Sequence, residues 1–244
     1  MHDAPSCACA LCDGGHVPAL FPANRLPQVQ CLPLTAAESA LFSSTARWLD
    51  ESISRPNPAL GRSGDVCPWT RRTLQLGRLY LASIPATQDS CLDASLLALL
   101  REFSAMRETT CLFDTFRAIV AVFPNLPEGT ADQIVVTTHA RLKPLFLRER
   151  AMLGEFYPKC EKPGLHAPDF RPLRAPHPLL VIRAMVEADL WFLLDRDEFL
   201  DAYLDAFGAR GRERVLELLE SPDGRVAPDR LLALRQRMLS RPRS

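Results

Sequence analysis

The chain has 244 residues, 47% of them apolar and 24% charged, and 29 lysines and arginines balance 29 aspartates and glutamates. This length suits one large domain with appendages, and the apolar share is enough for a full core. A formal net charge of zero argues against the electropositive footprint of a nucleic-acid or membrane-surface partner, and no run approaches the ~18 apolar residues of a membrane helix. The N-terminus has neither the basic start nor the apolar stretch of an export signal. The eight cysteines follow no framework spacing, which points to reduced thiols and a cytoplasmic protein.

Residues 1–34 are expected to form an irregular arm, because Pro5, Pro18, Pro22, Pro27 and Pro33 leave no helical pattern. Within it Cys7, Cys9, Cys12 and His16 carry four soft ligand groups at a spacing unlike a familiar zinc pattern, so a metal knuckle and a plain tail both remain open. A capping box, Thr35 with Glu38, opens a helix to about Ser54, with Leu41, Thr45, Trp48 and Leu49 at helical spacing. Prolines and glycines from Arg55 to Gly64 mark a loop leading to Val66-Cys67-Pro68-Trp69. Cys67, extended before its proline, is a candidate nucleophile or soft ligand, or a small buried apolar group.

Gly77 to Ile84 reads as a strand ended by Pro85. Ser90 is placed to cap a helix whose stripe is Leu92, Leu96, Leu99, Leu100 and Phe103. Phe116 to Phe123 is the near-continuous apolar run of a strand buried on both faces. A second capping box at Thr130 and Gln133 opens a helix through Val135, His139, Leu142 and Phe146, which Pro144 should kink or shorten. Met152 to Tyr157 and Leu179 to Val186 read as the last two strands, possible antiparallel neighbours. From Asp189 the chain turns helical. Leu200, Tyr203, Leu204 and Phe207 share a stripe, Gly208 and Gly211 should break it, and Pro228 should start a final helix. The segment from Ser221 to Val226 lacks the alternating carboxylates of a calcium loop. The fold class expected is α+β: a mixed sheet of about four strands packed with helices over residues 35–192, with a helical C-terminal extension over 193–244.

The chemistry-bearing residues lie in the middle third. His139 and Lys143 sit one turn apart on the second helix, able to share an anion. Glu155 falls on a strand between apolar neighbours, and a buried carboxylate needs a partner. Arg171, Arg174 and Arg183 are the expected partners, or else a bidentate site for a ligand carboxylate or phosphate. The proline-rich stretch Pro163–Pro178 carries His166 and His177 on an irregular loop, a usual place for binding groups. No Walker loop, G-x-G-x-x-G, nucleophile elbow or H-E-x-x-H is present.

The run formed by Cys67-Pro68-Trp69, Phe123-Pro124, His139, Lys143, Gly154-Glu155-Phe156-Tyr157-Pro158, Phe170-Arg171-Pro172-Leu173-Arg174-Ala175-Pro176 and Ile182-Arg183-Ala184-Met185-Val186 resembles an uncharacterised bacterial domain family. Its members stand near specialised-metabolite genes and often have histidine where this chain has Tyr157. The same region is distantly similar to the YqcI/YcgG family, some members of which are heme-dependent oxygenases acting on amine or guanidine nitrogens. These resemblances imply an oxidative enzyme of small-molecule biosynthesis. Heme would be its cofactor; the resemblance fixes no axial ligand, and the placement of His139 on its helix makes it the expected iron ligand. Glu155 would orient the substrate or relay protons, and Arg171, Arg174, Arg183 and Lys143 would bind the ligand; a separate reading makes Cys67 the nucleophile of a cysteine-dependent enzyme. The alternative is a cofactor-free binding or accessory protein for an anionic metabolite or a partner protein.

Overall fold

The computed structural model describes residues 18–23, 34–87, 89–108, 113–127, 129–222 and 224–240. The cysteines at 7, 9 and 12 and His16 lie outside the described residues. The chain divides into two compact units, Met1–Lys143 with Met152–Ala184, and Pro144–Ala151 with Met185–Ser244.

The first unit is built on a mixed sheet. Its strands are β1 (Phe21–Pro22), β2 (Leu79–Ser83), β3 (Ala118–Val122), β4 (Ala151–Phe156) and β5 (Leu179–Ala184), in the order β1-β2-β3-β5-β4. The α+β class therefore holds with five strands rather than about four, because the N-terminal arm contributes β1. That strand pairs antiparallel with β2, Phe21 opposite Leu81. Pro22 is tolerated there because an edge strand can spare an N–H.

β2 and β3 are parallel, in register from Leu79 with Ala118 to Ser83 with Val122. A parallel pair needs a long crossover, and α3 (Asp89–Ala105) supplies it. Leu92, Leu96, Leu99, Leu100 and Phe103 are all buried on this helix, as its stripe requires. The helix starts at Asp89, so Ser90 lies inside the first turn rather than capping it. An acidic first residue suits the positive end of the helix dipole. Cys91 on this helix is disulfide-bonded, against the expectation of uniformly reduced thiols.

β3 is buried at every position and occupies the centre of the sheet. β5 lies antiparallel on its far side, Ile119 opposite Ile182, and β4 is left at the edge. Composition explains the exchange of places. β5 is almost wholly apolar, whereas β4 carries Gly154 and Glu155, which weaken a strand and suit an edge.

Both faces of the sheet are covered. Leu79, Leu81, Ala118, Val120, Val122 and Leu179 join Phe42 and Leu49 from α1 (Ala36–Trp48) and its continuation in one cluster. The alternate residues Ile119, Ala121, Leu180 and Ile182 face the other way, where α3 meets β3 and β5. α1 opens with the expected capping box: the Thr35 hydroxyl accepts from the Glu38 amide and Glu38 accepts from the Thr35 amide. It ends in a π turn, Leu49–Ile53, closed by the Ser54 amide donating to the Leu49 carbonyl at 2.9 Å. α4 (Ala131–Arg148) runs on through Pro144 to Arg148, so that proline does not shorten it.

The second unit holds α5 (Asp197–Glu220) and α6 (Pro228–Ser240). Gly208 breaks α5 as expected, with φ 54° and ψ −126°. Gly211 does not. It is buried against the Tyr203 and Phe207 side chains, where a Cβ has no room.

The loop before α2 (Thr70–Gln75) meets the proline-rich stretch at Gly61. Its φ is +73°, and a Cβ there would collide with the His166 carbonyl. Gly61→Ala should therefore lower stability by about 1–3 kcal/mol through strain and displaced backbone. Urea unfolding measures this, and an unchanged midpoint would refute the close approach.

Candidate functional site

Glu155 is the most deeply buried carboxylate among the expected site residues, its side chain 3% exposed. Strand alternation turns it, like Leu153, toward α4. There His139 stands between two oxygens. Its Nδ1 lies 3.1 Å from Glu155 Oε2, and its Nε2 lies 3.0 Å from the Leu153 carbonyl. Both partners only accept, so both contacts are hydrogen bonds only when the ring is the doubly protonated imidazolium. Without a proton on Nδ1, Oε2 is a buried oxygen with no donor. The other carboxylate oxygen, Oε1, accepts from Lys162 Nζ. Burial works against the charge on Glu155, but the bonds and charges of His139 and Lys162 outweigh it, and its pKa lies below the ordinary value.

Arg171, Arg174 and Arg183 were the expected partners of Glu155, and the structure gives His139 and Lys162 instead. Glu161 is the reason. It projects from the same loop and accepts from both Arg171 and Arg174, which hold its carboxyl below the usual range. Arg174 Nε also donates to the Cys160 carbonyl at 3.1 Å, and Arg171 Nη1 donates to the Phe170 carbonyl at 3.3 Å. Arg183, on β5 opposite Ala118, donates to the Ala184 carbonyl at 2.9 Å. Lys143 is half-buried one turn beyond His139.

The proline-rich stretch is pinned at further points. Burial disfavours the charged form of His177 and lowers its pKa. Thr45 Oγ1 donates to the Leu41 carbonyl at 2.7 Å and lies 2.7 Å from His177 Nε2, so Nε2 is the donor of that pair. Ser44 Oγ, which donates to the Leu41 carbonyl at 3.2 Å, lies 3.3 Å from His177 Nδ1. Trp48 Nε1 donates to the Arg174 carbonyl at 3.2 Å, and its ring meets Phe156 edge-on. Burial, the contact with Cys160 and the charge on Glu155 push the Tyr157 hydroxyl up to about 12, so it stays neutral. His166 is exposed. Glu155, His139, Lys162, Glu161, Arg171 and Arg174 are thus satisfied largely by one another, and they fasten the stretch from Tyr157 to Pro178 onto the sheet.

The fit to heme can be judged from these contacts. An axial histidine needs one ring nitrogen free for iron, and both nitrogens of His139 are occupied by protein oxygens. Arg171 and Arg174, two of the expected ligand-binding residues, pair with Glu161. The residues as arranged do not fit the group.

A different place in the first unit is open. A cleft of about 510 Å³ lies between the π turn and α2, lined by Asp50, Ser54, Arg55, Arg71, Leu74 and Gln75. Cys67 is half-buried and outside any disulfide. Its amide donates to the Ile53 carbonyl at 2.9 Å and its carbonyl accepts from Thr70, so the Cys67-Pro68-Trp69 turn joins the two walls. Arg71 grips Asp65 through Nε and Nη2 at 2.8 and 2.6 Å, and Nε also donates to the Ser54 carbonyl. Ser54 is 3% exposed, yet its Oγ has no partner. Sequence reading missed this cleft. Its one legible signal was the charge alternation of Asp50, Arg55 and Arg71 around a proline-rich turn.

The fold and its braced proline loop define an α+β domain with a sheet covered on both faces. The chain belongs to the family described as a domain of unknown function (DUF6875), whose model matches residues 42–217. No curated protein and no solved structure matches it. No helix among the described residues is long and apolar enough to cross a membrane, and no cluster of three or more metal-ligating side chains occurs among them.

Two expectations follow from the brace. His139→Ala leaves a buried carboxylate oxygen without a donor and should cost about 1–3 kcal/mol. Lys162→Ala removes a half-exposed cation and should cost less than about 1 kcal/mol. Chemical denaturation of both variants checks the order, and equal losses would refute it. The depressed pKa of Glu155 contributes stability that is present above the unfolded glutamate value of about 4.3. That contribution is lost as pH falls through the lower folded value. Glu155→Gln should flatten this acid limb of the stability profile, and an unchanged limb would refute the assignment.

Proposed function

We propose that the protein is a cofactor-free binding protein for a small charged metabolite, with the ligand in the cleft between the π turn and α2. The observation that carries this reading is the buried Ser54 hydroxyl without a partner at the wall of a cleft of about 510 Å³. A buried hydroxyl left unpaired costs free energy, which marks this wall as one that the protein's own groups leave incompletely satisfied. The volume lies within the usual range of small-molecule sites, roughly 300–1,000 Å³. The π turn beside it fits the pattern too, because such turns recur at functional sites.

On this reading the Glu155–His139–Lys162 cluster is a brace and not a reaction centre. The oxidative, heme-dependent reading requires His139 to give up one of its two contacts, the Leu153 carbonyl at Nε2 or Glu155 at Nδ1.

Two measurements test the proposal. A panel of small charged metabolites should contain members that raise the melting temperature. Gln75→Trp, an exposed change that fills the cleft, should abolish those shifts while the circular dichroism spectrum stays unchanged. Stabilisation that survives the substitution would place the ligand elsewhere. Hemin titration should give no Soret band that depends on His139. A band lost in His139→Ala would overturn the cofactor-free reading.

A further inference from the structure

The cleft carries more information than its size, because its open charges come as one cation and one anion. Arg71 is committed: Asp65 holds two of its nitrogens and the Ser54 carbonyl shares one of them. Arg55 and Asp50 are not committed in this way. Arg55 Nη2 donates to Asp50 Oδ2 at 2.9 Å and Nε donates to the Asp50 carbonyl at 3.0 Å. Their side chains are 57% and 62% exposed. Exposed pairs of this kind contribute little and exchange readily with outside partners.

A ligand entering here meets a guanidinium and a carboxylate side by side. An anion would take Arg55 but would lie against Asp50, and a cation would meet the converse repulsion. A molecule with both charges a few bonds apart satisfies both residues at once. Leu74 and Pro56 supply apolar wall. We infer that the cleft of the proposed binding function takes a zwitterionic α-amino acid with an apolar side chain. Its carboxylate lies on Arg55, its ammonium on Asp50 and its side chain against Leu74 and Pro56. This inference rests on the cleft being the ligand site. It adds the ligand class and the residue that reads each charge. Arg55 suits the carboxylate because its planar fork donates two parallel hydrogen bonds. The pairing of Arg55 with Asp50 is then the resting form of the site, in which each residue stands in for half of the ligand.

Titration calorimetry on the full chain tests this with L-leucine, N-acetyl-L-leucine and L-leucinamide. L-leucine should bind saturably, and loss of either ligand charge should weaken binding at least about tenfold. Asp50→Asn should weaken L-leucine by a similar factor and strengthen N-acetyl-L-leucine, because the repulsion of its carboxylate is removed and Arg55 is released. Arg55→Ala should weaken both. N-acetyl-L-leucine binding as tightly as L-leucine would overturn the zwitterion and identify an anion site. No binding by any proteinogenic amino acid at millimolar concentration would overturn it as well. Neither failure touches the broader cleft reading, which stands or falls on the metabolites whose stabilisation Gln75→Trp removes. Asp50 and Arg55 are both exposed, so their variants should fold, and circular dichroism checks that they do.

Discussion

The buried carboxylate of Glu155 sets the conditions that the rest of the first unit meets. A charge with a side chain only 3% exposed persists only if donors surround it, because isolated burial costs far more than a fold can spare. The edge strand β4 delivers Glu155, α4 delivers His139, and the loop after β4 folds back to deliver Lys162. These three segments are distant in sequence or separated by a turn, so satisfying one acid fixes the place of all three. The edge position of β4 follows from the same constraint, since a central strand would leave no room for the loop to return to its own acid.

The proline-rich stretch is rigid for a related reason. Prolines limit its backbone, but they do not say where it goes. Its course is set by pairs that close at both ends: Glu161 with Arg171 and Arg174, His177 with Ser44 and Thr45, and Trp48 with the Arg174 carbonyl. Arg171 and Arg174, which looked like ligand-binding groups, pair with Glu161 within the loop itself. A density of charged residues on an irregular segment is thus compatible with a wholly internal role. The open chemistry lies instead where cation and anion are exposed and loosely matched, beside the π turn.

Much of the fold was legible along the chain. The capping box at Thr35 and Glu38, the stripe on α3, the buried run of β3 and the start of α6 at Pro228 all stand where local patterns put them. Each is a short-range matter of hydrogen bonds to nearby amides or of apolar periodicity. The failures were of another kind. Phe21 and Pro22 gave no strand signal because two residues have no periodicity, and only the free edge of β2 makes them a strand. Gly211 looked like a helix breaker, but it is retained because Tyr203 and Phe207 occupy the space of its missing side chain.

The α+β class, most of the elements and the need of Glu155 for a partner can be read along the chain. Those conclusions depend on spacing, composition and the cost of burying charge, all of which act within a few residues or on any buried group alike. That the partners are His139 and Lys162, that β5 separates β3 from β4, and that Asp50, Arg55 and Ser54 share a cleft emerges in the folded arrangement alone. Those depend on which segments meet in space, and meeting is settled by the whole set of competing contacts. Glu161 taking both arginines is the plainest case, because any of several acids could have done so, and the geometry of the folded loop selected this one.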